Sequence, residues 1–327
     1  MLSVISIGHF LPPARPVVEL VAAAGGNPKE HSGWPSACIA GDADHPSSMG
    51  TAALRVALDQ AGLKGSDLDL VLACGVSRDY PASWSVAIEI MRNLEVPSDR
   101  FGFDTSCGCA GAVVGLQIAD GWLGQRGRGR AAVVTAERWS YTVNRGDPVE
   151  KTLWGHADGA AVMILEEGES PQAKALFRGT HFLTRSELND VILVQYGGTR
   201  FPSPPPGTPP YLRRKKWAGT QDEYRAIQRA NYASVFDGMR KDFGVDPDWV
   251  VCNQIGPGFV AGMAKVARVA DDRVVVTGDE TGHVGSADVT LGLERLIARK
   301  EQGTCFMGGS TAYAVAGAAF ELRGGGR

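Results

Sequence analysis

The sequence predicts an α/β chain of two structurally repeated halves, and three observations predict it. Short apolar, β-like runs alternate with helical patterns from end to end, as layered α/β folds require. The same count of elements, five strands and three helices, recurs in each half without obvious sequence identity. Glycine is abundant, 42 of 327 residues, a balance suited to close helix–sheet packing and backbone-lined pockets.

In order, strands are expected at 3–9, 69–74, 100–104, 131–137 and 159–166, with helices at 49–62, 84–94 and 109–124. The second half repeats the plan. Its strands are expected at 173–184, 248–252, 273–277, 303–308 and 312–322, and its helices at 221–243, 257–269 and 286–300. The halves divide at 1–167 and 168–327. Residues 200–217 stand apart, with six prolines between 202 and 210, which favours an extended polyproline path. The basic run Arg213, Arg214, Lys215, Lys216 follows. It reads as a solvated loop, a lip over a site, or a docking patch for an acidic carrier protein.

Composition narrows the function classes. The net charge is −3, from 33 basic and 36 acidic residues, without the basic footprint of a nucleic-acid binder. No apolar run reaches the roughly 18 residues of a membrane span. The N-terminus reads as a first strand and not a signal peptide. The six cysteines (38, 74, 107, 109, 252, 305) are scattered, as buried thiols of a cytoplasmic protein with one candidate reactive thiol. No second pair accompanies Cys107-x-Cys109 at ligand spacing, so no metal is expected. No phosphate-binding glycine loop stands between a strand and a helix.

The segment FDTSCGCAGAVVGLQIADGWL (103–123) carries the chemistry. A strand ends near Asp104, a Cys-Gly-Cys-Ala-Gly turn follows, and an amphipathic helix begins. Cys109 therefore falls at a helix start, where unpaired N–H groups and the helix dipole favour thiolate. A thiolate is the form that accepts acyl groups from thioesters. A buried, inert thiol is the other reading of the same residues.

This segment resembles the active-site turn of the β-ketoacyl-acyl-carrier-protein synthase III family, roughly D-x-x-x-A-C-A-G. Asp104, Cys109, Ala110 and Gly111 match it, with Gly108 in place of Ala. MGTAALRVALDQAGLKGSDLDLVL (49–72), VVTAERWS (133–140), WGHADGAAVMIL (154–165) and FMGGSTAYAVAGAAFEL (306–322) are similar to later family segments in order and spacing. The resemblance implies a thiolase-like five-layered αβαβα sandwich of two pseudo-duplicated halves and a homodimer. It also implies acyl-CoA or acyl-carrier-protein as co-substrate, with no bound cofactor.

The family pairs its cysteine with a His and then an Asn. Here WVVCNQIGPG (249–258) puts Asn253 at the His place, and ETGHVGSAD (280–288) puts His283 at the Asn place. In a condensing enzyme that pair stabilises an enolate. Exchanged, His283 is placed to act as general base on a hydroxyl or amine, with Asn253 orienting it, aiding an oxyanion, or simply turning the chain. Some relatives in natural-product pathways have His at the Asn place and transfer acyl groups to oxygen, although they commonly carry an acid where Asn253 stands. Gly308 falls at the family's oxyanion-hole position. His156 stands where the family usually has Asp and reads as structural, or as a residue close enough to the site to matter. HSGW (31–34) replaces the family's coenzyme A-binding R-T-G-I, with His31 for Arg and Trp34 for Ile. Gly258 stands where a further Arg is usual. Candidate substrate or carrier contacts are Trp34, Trp84, Arg213 and Arg214, with Met91, Tyr196 and Phe201 as candidate pocket residues.

The leading expectation is an acyltransferase of natural-product (polyketide) biosynthesis, working through a Cys109 acyl-enzyme on a small-molecule acceptor. Decarboxylative C–C condensation, a non-catalytic partner subunit and thioester hydrolysis compete with it.

Overall fold

The computed structural model describes residues 1–81, 83–215 and 220–324; Lys216 of the basic run lies outside them. The first half runs β1 (Leu2–Phe10), β2 (Ala14–Pro16), α1 (Val17–Ala23), β3 (Ser36–Cys38), α2 (Pro46–Ala61), β4 (Leu70–Cys74), α3 (Val86–Asn93), β5 (Phe101–Thr105), α4 (Gly111–Gly124), β6 (Arg130–Arg138) and β7 (Asp158–Glu167). Its inner strands carry continuous apolar runs, Leu70–Cys74 and Ala131–Val134, because both faces are covered. α2 opens on Pro46, which loses no hydrogen bond at a first helical position, and stops at left-handed Gly62.

The second half runs β8 (Ala175–Thr184), β9 (Ile192–Val194), β10 (Leu212–Arg214), α5 (Gln221–Phe243), β11 (Trp249–Cys252), α6 (Pro257–Ala267), α7 (Gly278–Thr281), α8 (Ala287–Ala298), β12 (Gln302–Ser310) and β13 (Ala314–Arg323). The long helix α5 matches its sequence boundaries because both ends are written locally. Thr220 and Glu223 form a reciprocal capping box, and Gly244 closes the helix with φ 67°.

The main strands order as β11-β12-β13-β8-β1-β7-β6-β4-β5. The two halves show the same succession. β5, β4 and β6 are parallel, with β7 and then β1 alternating in direction. β11 and β12 are parallel, with β13 and then β8 alternating. Pairing of Leu2–Val4 with Ala175–Phe177 joins them. Five layers result. Met49, Leu54 and Ile90 of α2 and α3 cover one face of the first half. Val113 and Leu116 of α4, with Val289 and Leu293 of α8, pack between Leu72 and Val133 on one side and Val251 and Met307 on the other. Phe236 of α5 and Met263 of α6 cover Val250 and Phe306 on the far face.

The strand expected at 273–277 shrinks to one parallel bridge, Val274 with Val250. The Gln254 side chain takes the N–H groups of Thr277 and Gly278 and turns the chain into α7. The polyproline stretch also ends in structure. Leu212–Arg214 pairs antiparallel with Ile192–Val194, and this small hairpin walls the cavity described below.

Candidate active site

Cys109 follows β5 in a tight turn. Gly108 takes φ +52°, and a side chain there would run into Thr311. Ala110 and Gly111 donate their N–H groups to the carbonyls of Cys107 and Gly108, and α4 begins at once. An orphan N–H of that helix start, from Ala112, is taken by Ser286 Oγ at 2.8 Å. Ser286 belongs to the loop that carries His283, so one hydrogen bond ties the nucleophile's helix to the loop of its partner.

His283 Nε2 stands 3.6 Å from Cys109 Sγ. Its other nitrogen, Nδ1, lies 2.5 Å from Asp288 Oδ2. His283 is 3% exposed and Asp288 fully buried. Asp288 is held in the first turn of α8 and also accepts the N–H groups of Val284 (2.8 Å) and Gln254 (2.7 Å). A carboxylate on Nδ1 fixes the proton there and leaves Nε2 free to take a proton from sulfur. Burial works against a charged imidazole, but Asp288 and Cys109 outweigh it and raise the His283 pKa to about 10. Burial likewise pushes the Cys109 thiol up, and His283 opposes it. Asp288 is not among the residues that the sequence motifs single out. Its only signal was an acid five residues after the histidine in GHVGSAD.

Asn253, at the end of β11, is a brace. Its amide nitrogen donates to the carbonyls of Gly285 (2.9 Å) and Cys109 (3.4 Å), and its oxygen accepts from Ser310 N–H (2.7 Å). Three site loops meet on this side chain, and its hydrogen bonds go to backbone and not to the imidazole. Gly308 lies inside the paired strand β12 with its carbonyl against the Tyr232 hydroxyl, off the cavity lining. The neighbouring Gly309 is the residue that abuts Cys109; a side chain there would meet the Cys109 carbonyl.

His156, read from sequence as structural, stands beside the base. The two imidazoles are edge to face, 4.7 Å apart, and His156 lines the same cavity as Cys109. Burial holds it well below the ordinary histidine pKa, with His283 and Arg145 adding to the effect. The unfolded chain takes a proton on this histidine below about pH 6.5 and the folded chain does not. His156 therefore contributes stability that is present above that pH and lost below it. Urea midpoints measured at pH 7 and pH 5.5 are expected to fall more in the wild-type protein than in His156→Phe. Equal drops would show that this histidine is not the buried neutral group.

The cavity over Cys109 has a volume of about 1160 Å³. Val149, Leu153, Ile192, Val194 and Leu212 supply its apolar wall, and Lys215, Arg225 and Arg229 its basic side. Trp34 lines it, held by a 2.6 Å hydrogen bond from its indole to Gln254 O. Arg214 lines it too, with its guanidinium on Glu150 at 2.9 Å. Trp84, Met91, Tyr196, Phe201 and Arg213 do not line it. Trp84 packs on Tyr80, Met91 is a core residue of α3 in the cluster with α2, Tyr196 and Phe201 pack on each other, and Arg213 pairs with Asp147. Among the described residues, no group of three His, Cys, Asp or Glu is placed to hold a metal ion. No helix among them is long and apolar enough to cross a membrane.

The chain has a thiolase-like fold, and its site is a thiol–imidazole–carboxylate centre. Across nearly its whole length the chain superposes on OleA from Xanthomonas campestris, crystallised with lauric acid and lauroyl-CoA, at TM-score 0.83 and 18% identity over 98% of this chain and 99% of that one. It superposes on a priming β-ketosynthase of a polyketide biosynthetic pathway at TM-score 0.85 and 21% identity, covering 99% and 97%. Residues 103–181 match 3-oxoacyl-acyl-carrier-protein (ACP) synthase III, and residues 244–321 match its C-terminal domain. The β-ketoacyl-acyl-carrier-protein synthase III of Brucella anthropi is 28% identical over 265 residues, 80% of this chain and 78% of the relative. That of Rhodospirillum centenum is 27% identical over 270 residues, 81% and 79%. In both halves the chain is thus similar to the ketoacyl synthase III family of enzymes.

Proposed function

We propose that the chain moves an acyl group from a coenzyme A or carrier-protein thioester, through a Cys109 thioester, to a hydroxyl or amine acceptor in natural-product (polyketide) biosynthesis. The Cys109–His283–Asp288 line carries this reading. His283 takes the thiol proton, and Asp288 stabilises the imidazolium. Sulfur attacks the donor's carbonyl carbon, the donor thiolate leaves, and it departs with the proton from His283. The neutral imidazole then takes the acceptor's proton as its oxygen or nitrogen attacks the acyl-Cys carbonyl. Collapse returns that proton to the Cys109 sulfur.

The cavity exceeds the usual 300–1,000 Å³ of a small-molecule site, so an acyl chain and an acceptor fit together. Arg229, with Lys215 and Arg225 beside their acidic neighbours Asp190 and Asp222, lines the side where an acidic carrier or phosphorylated donor would find cationic partners. The polyketide setting draws on the priming β-ketosynthase that shares the fold. A homodimer is proposed through the edge strand β5, where Phe101 and the neighbouring Ile88 of α3 are exposed.

Condensation with a malonyl thioester is the second reading, favoured by the names of the curated relatives. Against it stands Asn253, whose amide is spent on backbone, so the site lacks the free imidazole–amide pair that enolate formation uses. The thiol–imidazole contact supports a catalytic chain over a silent partner subunit. The test is intact-protein mass spectrometry with a panel of acyl-CoA and acyl-carrier-protein thioesters, followed by hydroxyl and amine acceptors. A Cys109 adduct discharged onto an acceptor is the expected result; a protein that never gains acyl mass would refute the reading.

A further inference from the structure

His156 has a fixed place and one unassigned ring nitrogen. Its backbone N–H donates to Leu153 O at 2.9 Å, and its backbone carbonyl accepts from the Arg145 guanidinium at 2.6 Å. The ring is wedged edge-on between Trp139 and His283, at centroid distances of 5.8 and 4.7 Å. Nδ1 is buried and meets no hydrogen-bond partner. The side chain is 7% exposed and lines the cavity, so Nε2 is the nitrogen that faces it. A buried N–H without an acceptor is rarer and costlier than an unused lone pair. The proton therefore sits on Nε2, as a donor aimed into the cavity. The ring stays uncharged near neutral pH, which suits a hydrogen-bond donor and not a second base.

We propose that His156 Nε2–H donates to the carbonyl oxygen of the thioester while Cys109 attacks it, serving as a side-chain member of the oxyanion site. The assignment rests on the acyl-enzyme reading above. As the C–S bond to Cys109 forms, the carbonyl π pair moves onto oxygen. His156 holds that negative charge without giving up its proton, and the pair returns as the donor thiolate leaves. The amide that a condensing site would offer is occupied here, since Asn253 holds Gly285 and Cys109 carbonyls.

Quench-flow acylation of Cys109 by an acyl-CoA tests the assignment, run beside alkylation by iodoacetamide, which builds no oxyanion. In His156→Phe, acylation is expected to slow on the order of 10²–10³-fold, with alkylation unchanged. His156→Gln, which keeps an N–H donor, is expected to recover acylation to within about tenfold of wild type. His156→Leu serves where the larger ring unsettles the fold, and each variant is checked by its melting transition. Acylation at the wild-type rate in His156→Phe, or equal losses of acylation and alkylation, would overturn the proposal. The second result would mean that His156 acts through His283. A wild-type protein that takes no acyl group would overturn the acyl-enzyme reading itself, and this one with it.

Discussion

Cys109→Ala is expected to show no acyl-enzyme at all and no turnover above the uncatalysed rate. No other described thiol can take over. Cys74, Cys252 and Cys305 are fully buried in the core, and burial drives the Cys74 pKa up to about 12. Cys38 is also buried, and burial first, then Asp158, raises it to about 11. Cys107, two residues from the nucleophile, packs against the interlayer core, and burial raises its pKa also. The substitution removes only a sulfur at a site already open to the cavity, so the fold and acyl-CoA binding should persist. Intact mass after thioester incubation reads the adduct, and ligand-induced melting shifts read binding. An acyl adduct on the variant would place the nucleophile elsewhere.

The second large effect is expected of Asp288→Asn. The carboxylate holds the Nδ1 proton of His283 and raises that ring's proton affinity. An amide carries no charge and cannot accept from His283, Val284 and Gln254 as the carboxylate does. Loss of the oriented tautomer in comparable triads costs on the order of 10⁴ in kcat, and a drop of about 10³–10⁴ is expected here. The sign of the pH effect follows from the charge. Without Asp288 the His283 pKa falls from about 10, so the ionisation governing single-turnover acylation should move to lower pH. A variant that acylates within tenfold of wild type (about 1.4 kcal/mol), with an unmoved pH profile, would remove Asp288 from the mechanism.

Much of this architecture is legible in the sequence because its signals are local. The turn at Cys109 is announced by the glycines and the strand before it, α5 by Thr220, Glu223 and Gly244, and the buried strands by their apolar runs. The site is less legible because it is assembled across the chain. Asp288 reaches His283 only after Gly285, at φ 64°, folds the intervening loop back on itself. His156 looks structural until the bridge to His283 sets the two rings side by side. Asn253 reads as a partner for the imidazole, yet its hydrogen bonds depend on where three distant loops end. The strand at 273–277 failed for a related reason: a side chain, Gln254, replaces the ladder that periodicity alone would extend.

In the proposed function, the exchanged pair directs the acyl group to oxygen or nitrogen and not to carbon. The most direct measurement loads Cys109 from an acyl-CoA, adds malonyl-carrier thioester labelled in its free carboxylate, and counts released carbon dioxide while mass spectrometry follows the adduct. A persistent adduct with label release at background, discharged when a hydroxyl or amine acceptor is added, is the expected result. Release of one labelled carbon dioxide for each acyl group lost would contradict it and make the chain a condensing enzyme.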